Sequence, residues 1–154
     1  MIDAVFDRTA EDVKRVLELN QKYISGTITE DEKNEWLAGL KGALNIEDLN
    51  RVERNCDIVA NKIAVVVNTK NWVKNNIPRV SDYQRILENV ETIRSSYAVL
   101  NTTPETPFQP LNTFQKWNDI EHILFDVDSI YTRTMDAFAY CGTEIYSGEE
   151  IGDL

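Results

Sequence analysis

Asp119, His122 and Asp126 are the side chains whose types and spacing come nearest to chemistry. At i, i+3 and i+7 they share one face of a helix, and two carboxylates with an imidazole are ligands that a divalent cation accepts. Helical metal sites normally recruit ligands from a second helix as well. No Glu-x-x-His motif supplies them, and His122 is the only histidine. The simpler reading is a solvated acidic face with one intrahelical pair. On it no metal, no cofactor and no catalytic residue is assigned, and the chain is read as a protein without enzymatic activity. Asp126 and Asp128 flank Val127 but point about 200° apart on a helix, so they cannot share a substrate. No Asp-x-Asp-x-Asp-Gly calcium loop occurs, and the six glycines are scattered singly rather than gathered into a phosphate loop. Cys56 and Cys141 are too few for a disulfide framework or a zinc site, and Cys56 reads as a small core residue. Arg51 and Arg54 pair either with Glu47 and Asp48 on their own helix or with carboxylates of a partner.

The element carrying Asp119 and His122 is the one the rest must pack around. From Thr113 to Ala139 the apolar residues Phe114, Trp117, Ile120, Leu124, Val127, Tyr131, Met135 and Phe138 recur by threes and fours. This spacing predicts a helix over 113–139, about 40 Å long. Ile123 and Ile130 widen its stripe toward a second neighbour. Further helices follow from their start signals. Thr9 with Asp12 opens one that carries Val13, Val16, Leu17, Tyr23 and Ile24 and stops at Gly26. Thr29 with Glu32 opens a short one that carries Trp36, Leu37 and Leu40 and ends near Gly42. Asn45 caps a third, whose stripe of Leu49, Val52, Cys56, Val59, Ile63 and Val66 extends it to 67 and suggests packing at about 20° to another long helix. Ser81 with Gln84 opens a fourth over 81–99, with Tyr83, Ile86, Leu87, Val90, Ile93 and Tyr97 on one face. Between them, residues 68–80 are an asparagine-rich connection in which Trp72 plugs the helix ends. Residues 102–112, with three prolines, are a stiff extended crossover. Asn20 and Asn50 are candidates for buried hydrogen bonds that fix register. No repeat of fixed period is visible.

The result is an all-α bundle of about five helices, three long (45–67, 81–99, 113–139) and two shorter ones toward the N-terminus. It is read as one domain over 1–141 and a C-terminal tail over 142–154 that either binds a partner or is disordered.

The chain has 154 residues and a net charge of −10, which opposes nonspecific binding to nucleic acid or anionic lipid. The charge is uneven. Residues 36–80 hold seven bases and four acids, and residues 113–154 hold two bases and nine acids. Either the basic middle lies against the acidic last helix, or each helix solvates its own outer face, which is the simpler reading. Met1 to Asp7 lacks the pattern of a signal peptide, and the longest apolar run, Ile63 to Val67, is too short to span a membrane. The expectation is a protein made in the cytoplasm that stays there unless a particle carries it elsewhere.

Several motifs resemble a known family. Asp7-Arg8-Thr9-Ala-Glu-Asp12-Val13-x-x-Val16 is followed by Leu40-Lys41-Gly42-Ala43-Leu44-Asn45-x-x-Asp48-Leu49-Asn50-Arg51-Val52. Trp72-x-x-x-x-Ile77-Pro78, Asn118-Asp119-Ile120-Glu121-x-Ile123-Leu124-x-Asp126-Val127-Asp128 and Ile145-Tyr146-Ser147-Gly148-Glu149 continue the match. Together they resemble an uncharacterised helical family encoded by phages and prophages of Firmicutes, whose members look like virion or tail-region proteins. The resemblance spans essentially the whole chain and brings no catalytic residues. It implies a structural or tail-associated protein whose partners are other virion or tail proteins or a second copy of itself, found in the virion as well as in the host cytoplasm during assembly. The contact surfaces expected are the third helix, through Arg51 and Arg54, and the tail, through Ile145 and Tyr146. The competing reading is a small acidic inhibitor of a host defence or nucleic-acid-binding protein. In physical terms, Gly42 and Asn45 make a left-handed stop and a cap between helices two and three. Asp7 and Arg8 lie within reach of Arg51 or Asp48, so the motifs build a corner of the fold.

Overall fold

A computed structural model describes the backbone of residues 1–152 and the side chains of residues 1–138. Five helices follow one another: α1 (Ala10–Ser25), α2 (Glu30–Ala38), α3 (Ile46–Lys62), α4 (Val80–Ser96) and α5 (Phe114–Gly152). No strand occurs among the described residues. The fold is an all-α bundle in which α3, α4 and α5 pack on one another, while α1 and α2 form a separate antiparallel hairpin.

The three long helices run in the same direction. Arg51 and Lys62 of α3 reach Glu121 and Asp128 of α5, in that order. Tyr83 of α4 and Tyr97, the residue that caps its end, meet Trp117 and Tyr131 of α5, again in order. Parallel helices cannot be joined by short turns, so each connection must travel back along the bundle. Residues 63–79 return over α3 and α4: Asn68 bonds Asn89, Lys70 bonds Glu53, and Trp72 bonds Asn50. Residues 97–113 return over α4 and α5, with Thr103 on Asp126, Pro104 on Arg94 and Gln109 on Gln84. The segment before α1 fills the third groove. Ile2 bonds Asp128, Asp3 bonds Asn55, and Arg8 bonds both Asp48 and Glu121. Every groove between neighbouring helices therefore holds an extended strap running against the helix direction.

Apolar stripes supply the core. Leu49, Val52, Cys56 and Val59 of α3 meet Ile86, Leu87, Val90 and Ile93 of α4 and Trp117, Ile120, Ile123, Leu124 and Val127 of α5. Burial pushes the Cys56 thiol well above its ordinary pKa, as expected of a core residue. Trp72 plugs the core, with its ring N–H on Glu53 and its backbone N–H and carbonyl on Asn50. Asn20, predicted as a register bond, accepts from the Trp36 ring N–H and ties α1 to α2.

Several boundaries differ from the sequence expectation. α3 stops at Lys62, not at 67. Ala64 takes a left-handed φ of 58°, and the β-branched residues beyond it enter the strap, leaving Val66 93% exposed. The cap of α4 is not Ser81 with Gln84. The Asp82 carboxylate accepts the Arg79 N–H, and the helix opens at Val80. On α1, Leu17 and Ile24 face solvent and Leu19 is buried instead, because the hairpin stands beside the core and not on it. α2 stops at Gly39, whose positive φ of 92° is paired with an extended ψ of 124°, and not at Gly42, so the expected left-handed helical stop does not form. Gly42 serves a different need. A Cβ there would lie 2.3 Å from the carbonyl carbon and oxygen of Asp12, so only glycine lets this loop touch the first turn of α1. Capping boxes at Thr9 and Thr29 form as the spacing predicts, and Asn45 caps α3 as expected, with Asp48 completing a box there as well. Finally α5 does not end at Ala139 but runs on to Gly152.

Candidate functional site

The most concentrated charge chemistry lies on the seam between α3 and α5. Arg8 and Arg51 both reach Asp48 and Glu121, at 3.1 and 2.9 Å for Arg8 and at 2.6 and 2.8 Å for Arg51. Glu121 is fully buried, and its second oxygen accepts the Nε–H of Arg51 and the Val5 N–H. Asn118 closes the arrangement by accepting the Arg8 N–H and donating to its carbonyl. Local sequence explains the convergence. Asp48 is the N3 residue of the Asn45 capping box, so its carboxylate is fixed at the start of α3, one turn before Arg51. The four charges sum to zero. The hydrogen bonds that Arg51 donates to Glu121 and Asp48 hold its guanidinium well above its ordinary pKa.

Two clefts flank this cluster. One of about 650 Å³ lies against Trp36, Leu37, Lys41, Asp48 and Arg51. The other, about 460 Å³, lies among Val13, Ala43, Leu44, Leu111, Phe114 and Trp117. Arg8 lines both, but its guanidinium already donates to Val5, Asn118, Asp48 and Glu121. What the cluster does chemically is fasten a chain segment.

The other buried charges do the same work. Asp128 accepts the Ile2 N–H and the Lys62 ammonium. Glu53 accepts two bonds from Arg85, the Lys70 N–H and the Trp72 ring N–H. Asp126 accepts the Thr103 hydroxyl. The basic middle of the chain therefore does lie against the acidic last helix at Arg51 and Lys62. A solvated outer face is the wrong description of those residues and of Glu121 and Asp128.

The candidate metal ligands do not converge. His122 Nε2 lies 3.5 Å from Asp126, but that carboxylate turns inward to Thr103, and the Phe6 ring stacks on the imidazole at 4.8 Å. Among the described residues, no group of three or more His, Cys, Asp and Glu side chains is placed to hold a metal ion. Asp119 is set by burial, which raises its pKa above the ordinary 3.8, with His122 opposing weakly. A raised value means that the fold prefers the protonated acid. That preference contributes fully below pH 3.8 and is lost as pH rises through the folded value, so the charged form costs stability at neutral pH. Asp119→Asn should therefore raise the melting temperature at pH 7, show no gain at pH 3, and leave the melting curve indifferent to added zinc or manganese. A metal-dependent curve that the substitution abolishes would revive the metal reading.

Of the expected contact residues, Arg51 is committed to Asp48 and Glu121, whereas Arg54 is exposed. The side chains of Ile145 and Tyr146 lie outside the described residues, as does the backbone of 153–154. Sequence reasoning missed Glu53, Asp128 and the strap of residues 1–8. Arg8 was reachable through its motif, and its pairing with Asp48 is as anticipated, while Asp7 turns instead to Lys41 at 2.6 Å.

Among the described residues, no helix is long and apolar enough to cross a membrane. No family model matches the chain, and neither the curated proteins nor the solved structures contain a significant match to it.

Proposed function

We propose that this protein is a non-enzymatic phage structural or tail-associated protein that works through protein–protein contacts. One observation carries the reading: α5 outlasts the bundle. α3 ends beside Asp128 and α4 ends beside Tyr131, yet α5 continues to Gly152. From Arg133 to Phe138 every residue except Thr134 is exposed, including Met135 and Phe138. A further stretch of about 30 Å of helix follows Arg133 at 1.5 Å per residue. Isolated helices of this length are marginal in water, so a partner that covers the apolar side chains would stabilise it. The phage assignment rests on the resemblance of the motifs, and the buried fasteners of the α3–α5 seam agree with a scaffold role for them.

The second reading, an acidic inhibitor that mimics nucleic-acid phosphates, is favoured by the net charge of −10. It needs acids in rows on the surface. Three of the acids on α5, Glu121, Asp126 and Asp128, are buried and bonded to the chain itself, which favours the contact protein. Mass spectrometry of purified particles tests the choice. The contact reading expects this chain at fixed stoichiometry with other virion proteins. Its absence from particles, together with restored host restriction on deleting its gene, would favour the inhibitor.

A further inference from the structure

Because α3, α4 and α5 are parallel, the two ends of the bundle differ. The end where they begin carries the exposed side chains Val73, Ile77, Val80 and Phe108, with Ile77 83% and Val80 72% exposed. Lys74 and Arg79 are exposed beside them, and Lys116 sits over the Phe108 ring. Between Asp57 and Asp82 the sequence has four bases and no acid. Asp82, three residues beyond Arg79, is occupied by Lys70 and by the Arg79 N–H. The positive ends of three helix dipoles point the same way. This head is apolar and basic. At the opposite end α5 emerges with Met135 46% and Phe138 67% exposed, and after Arg133 the sequence has five acids and no base.

We infer that the emergent part of α5 docks on the Val73–Val80 head of a second copy of this chain. The inference rests on the contact-protein reading above and names its partner. Charge decides the mode. Pairing two emergent helices side by side would bring like charges together, and so would pairing two heads. Only head against tail joins opposite charge with apolar surface on both sides. Such a contact is heterologous, so it closes into a ring or continues as a filament, according to the rotation between copies.

Sedimentation velocity on the full chain tests this. The wild-type protein should form a concentration-dependent series of oligomers that raised salt dissociates. Lys74→Glu with Arg79→Glu removes the head, and Asp136→Lys with Phe138→Ser removes the tail. All four side chains are exposed, so circular dichroism should be unchanged. Each double variant alone should associate at least about tenfold more weakly, the size expected when complementary charges become like ones. Mixed together, they should form a discrete dimer and nothing larger, because one supplies the only working tail and the other the only working head. A wild-type monomer up to roughly 100 μM, or a mixture that remains monomeric, overturns the inference. If the wild type associates and both variants associate equally well, head-to-tail docking fails while the contact-protein reading stands. That reading fails separately, if the chain is absent from particles.

Discussion

Glu121→Ala should lower stability by about 3–5 kcal/mol, the cost of leaving buried guanidinium groups without their carboxylate. In a chain of this size that corresponds to a melting temperature roughly 10 °C lower. The reason lies in how many groups depend on one side chain. Glu121 is fully buried and receives Arg8, both donor positions of Arg51, and the Val5 N–H. Its loss leaves Asp48 to balance two cations and releases the N-terminal strap from the α3–α5 groove. The effect should be non-additive. Arg51→Ala in the Glu121→Ala background should cost clearly less than Arg51→Ala alone, since the cation it removes has already lost its main partner. Chemical denaturation of the four proteins in that cycle measures both quantities. A Glu121→Ala protein within about 1 kcal/mol of wild type would show that the seam behaves as a surface ion pair.

Gly42→Ala should cost about 3 kcal/mol, at the upper end of what overpacking usually brings. The new methyl carbon would sit 2.3 Å from two backbone atoms of Asp12 and 2.6 Å from the Val13 nitrogen. Backbone cannot rotate aside as the end of a side chain can, so either the loop or the first turn of α1 must move. The movement should be local. The three atoms nearest to that methyl all belong to the first turn of α1, where the Thr9–Asp12 capping box sits. Denaturation gives the stability change, and amide exchange localises it to α1 and α2. Wild-type stability with unchanged protection of α1 would mean that the close approach does not exist.

The bundle was legible because its signals are short-range. Capping boxes need residues three apart, and the stripes of α4 and α5 repeat every three or four, so Thr9, Thr29, Asn45, Ile86, Val90, Ile120 and Leu124 could be placed from spacing alone. The straps were illegible for the opposite reason. Ile2 meets Asp128 across 126 positions, and Val5 meets Glu121 across 116. Nothing local distinguishes a carboxylate that a distant segment will cover from one that water will solvate. Glu53, Glu121 and Asp128 therefore read as ordinary helix-surface acids. The glycines show a subtler limit. Composition marks Gly39 and Gly42 as equally suited to a turn, and only the fold separates a positive φ from a steric need. The end of α3 was misread because the apolar period continues through Ile63 to Val66 although the helix does not. The same β-branched residues suit an extended strap, where Val65 and Val67 pack on the core.

Buried charge seats the extended straps against the helices, and the contact role proposed for the projecting α5 and the basic head builds on that arrangement. Amide hydrogen exchange of the native protein tests this most directly. The Ile2, Val5, Asn68 and Trp72 N–H groups, which donate to Asp128, Glu121, Asn89 and Asn50, should be protected nearly as well as the α3–α5 core, and Glu121→Ala should expose Val5 first. Exchange of those four amides at the rate of an unfolded peptide, with the helices still protected, would contradict it.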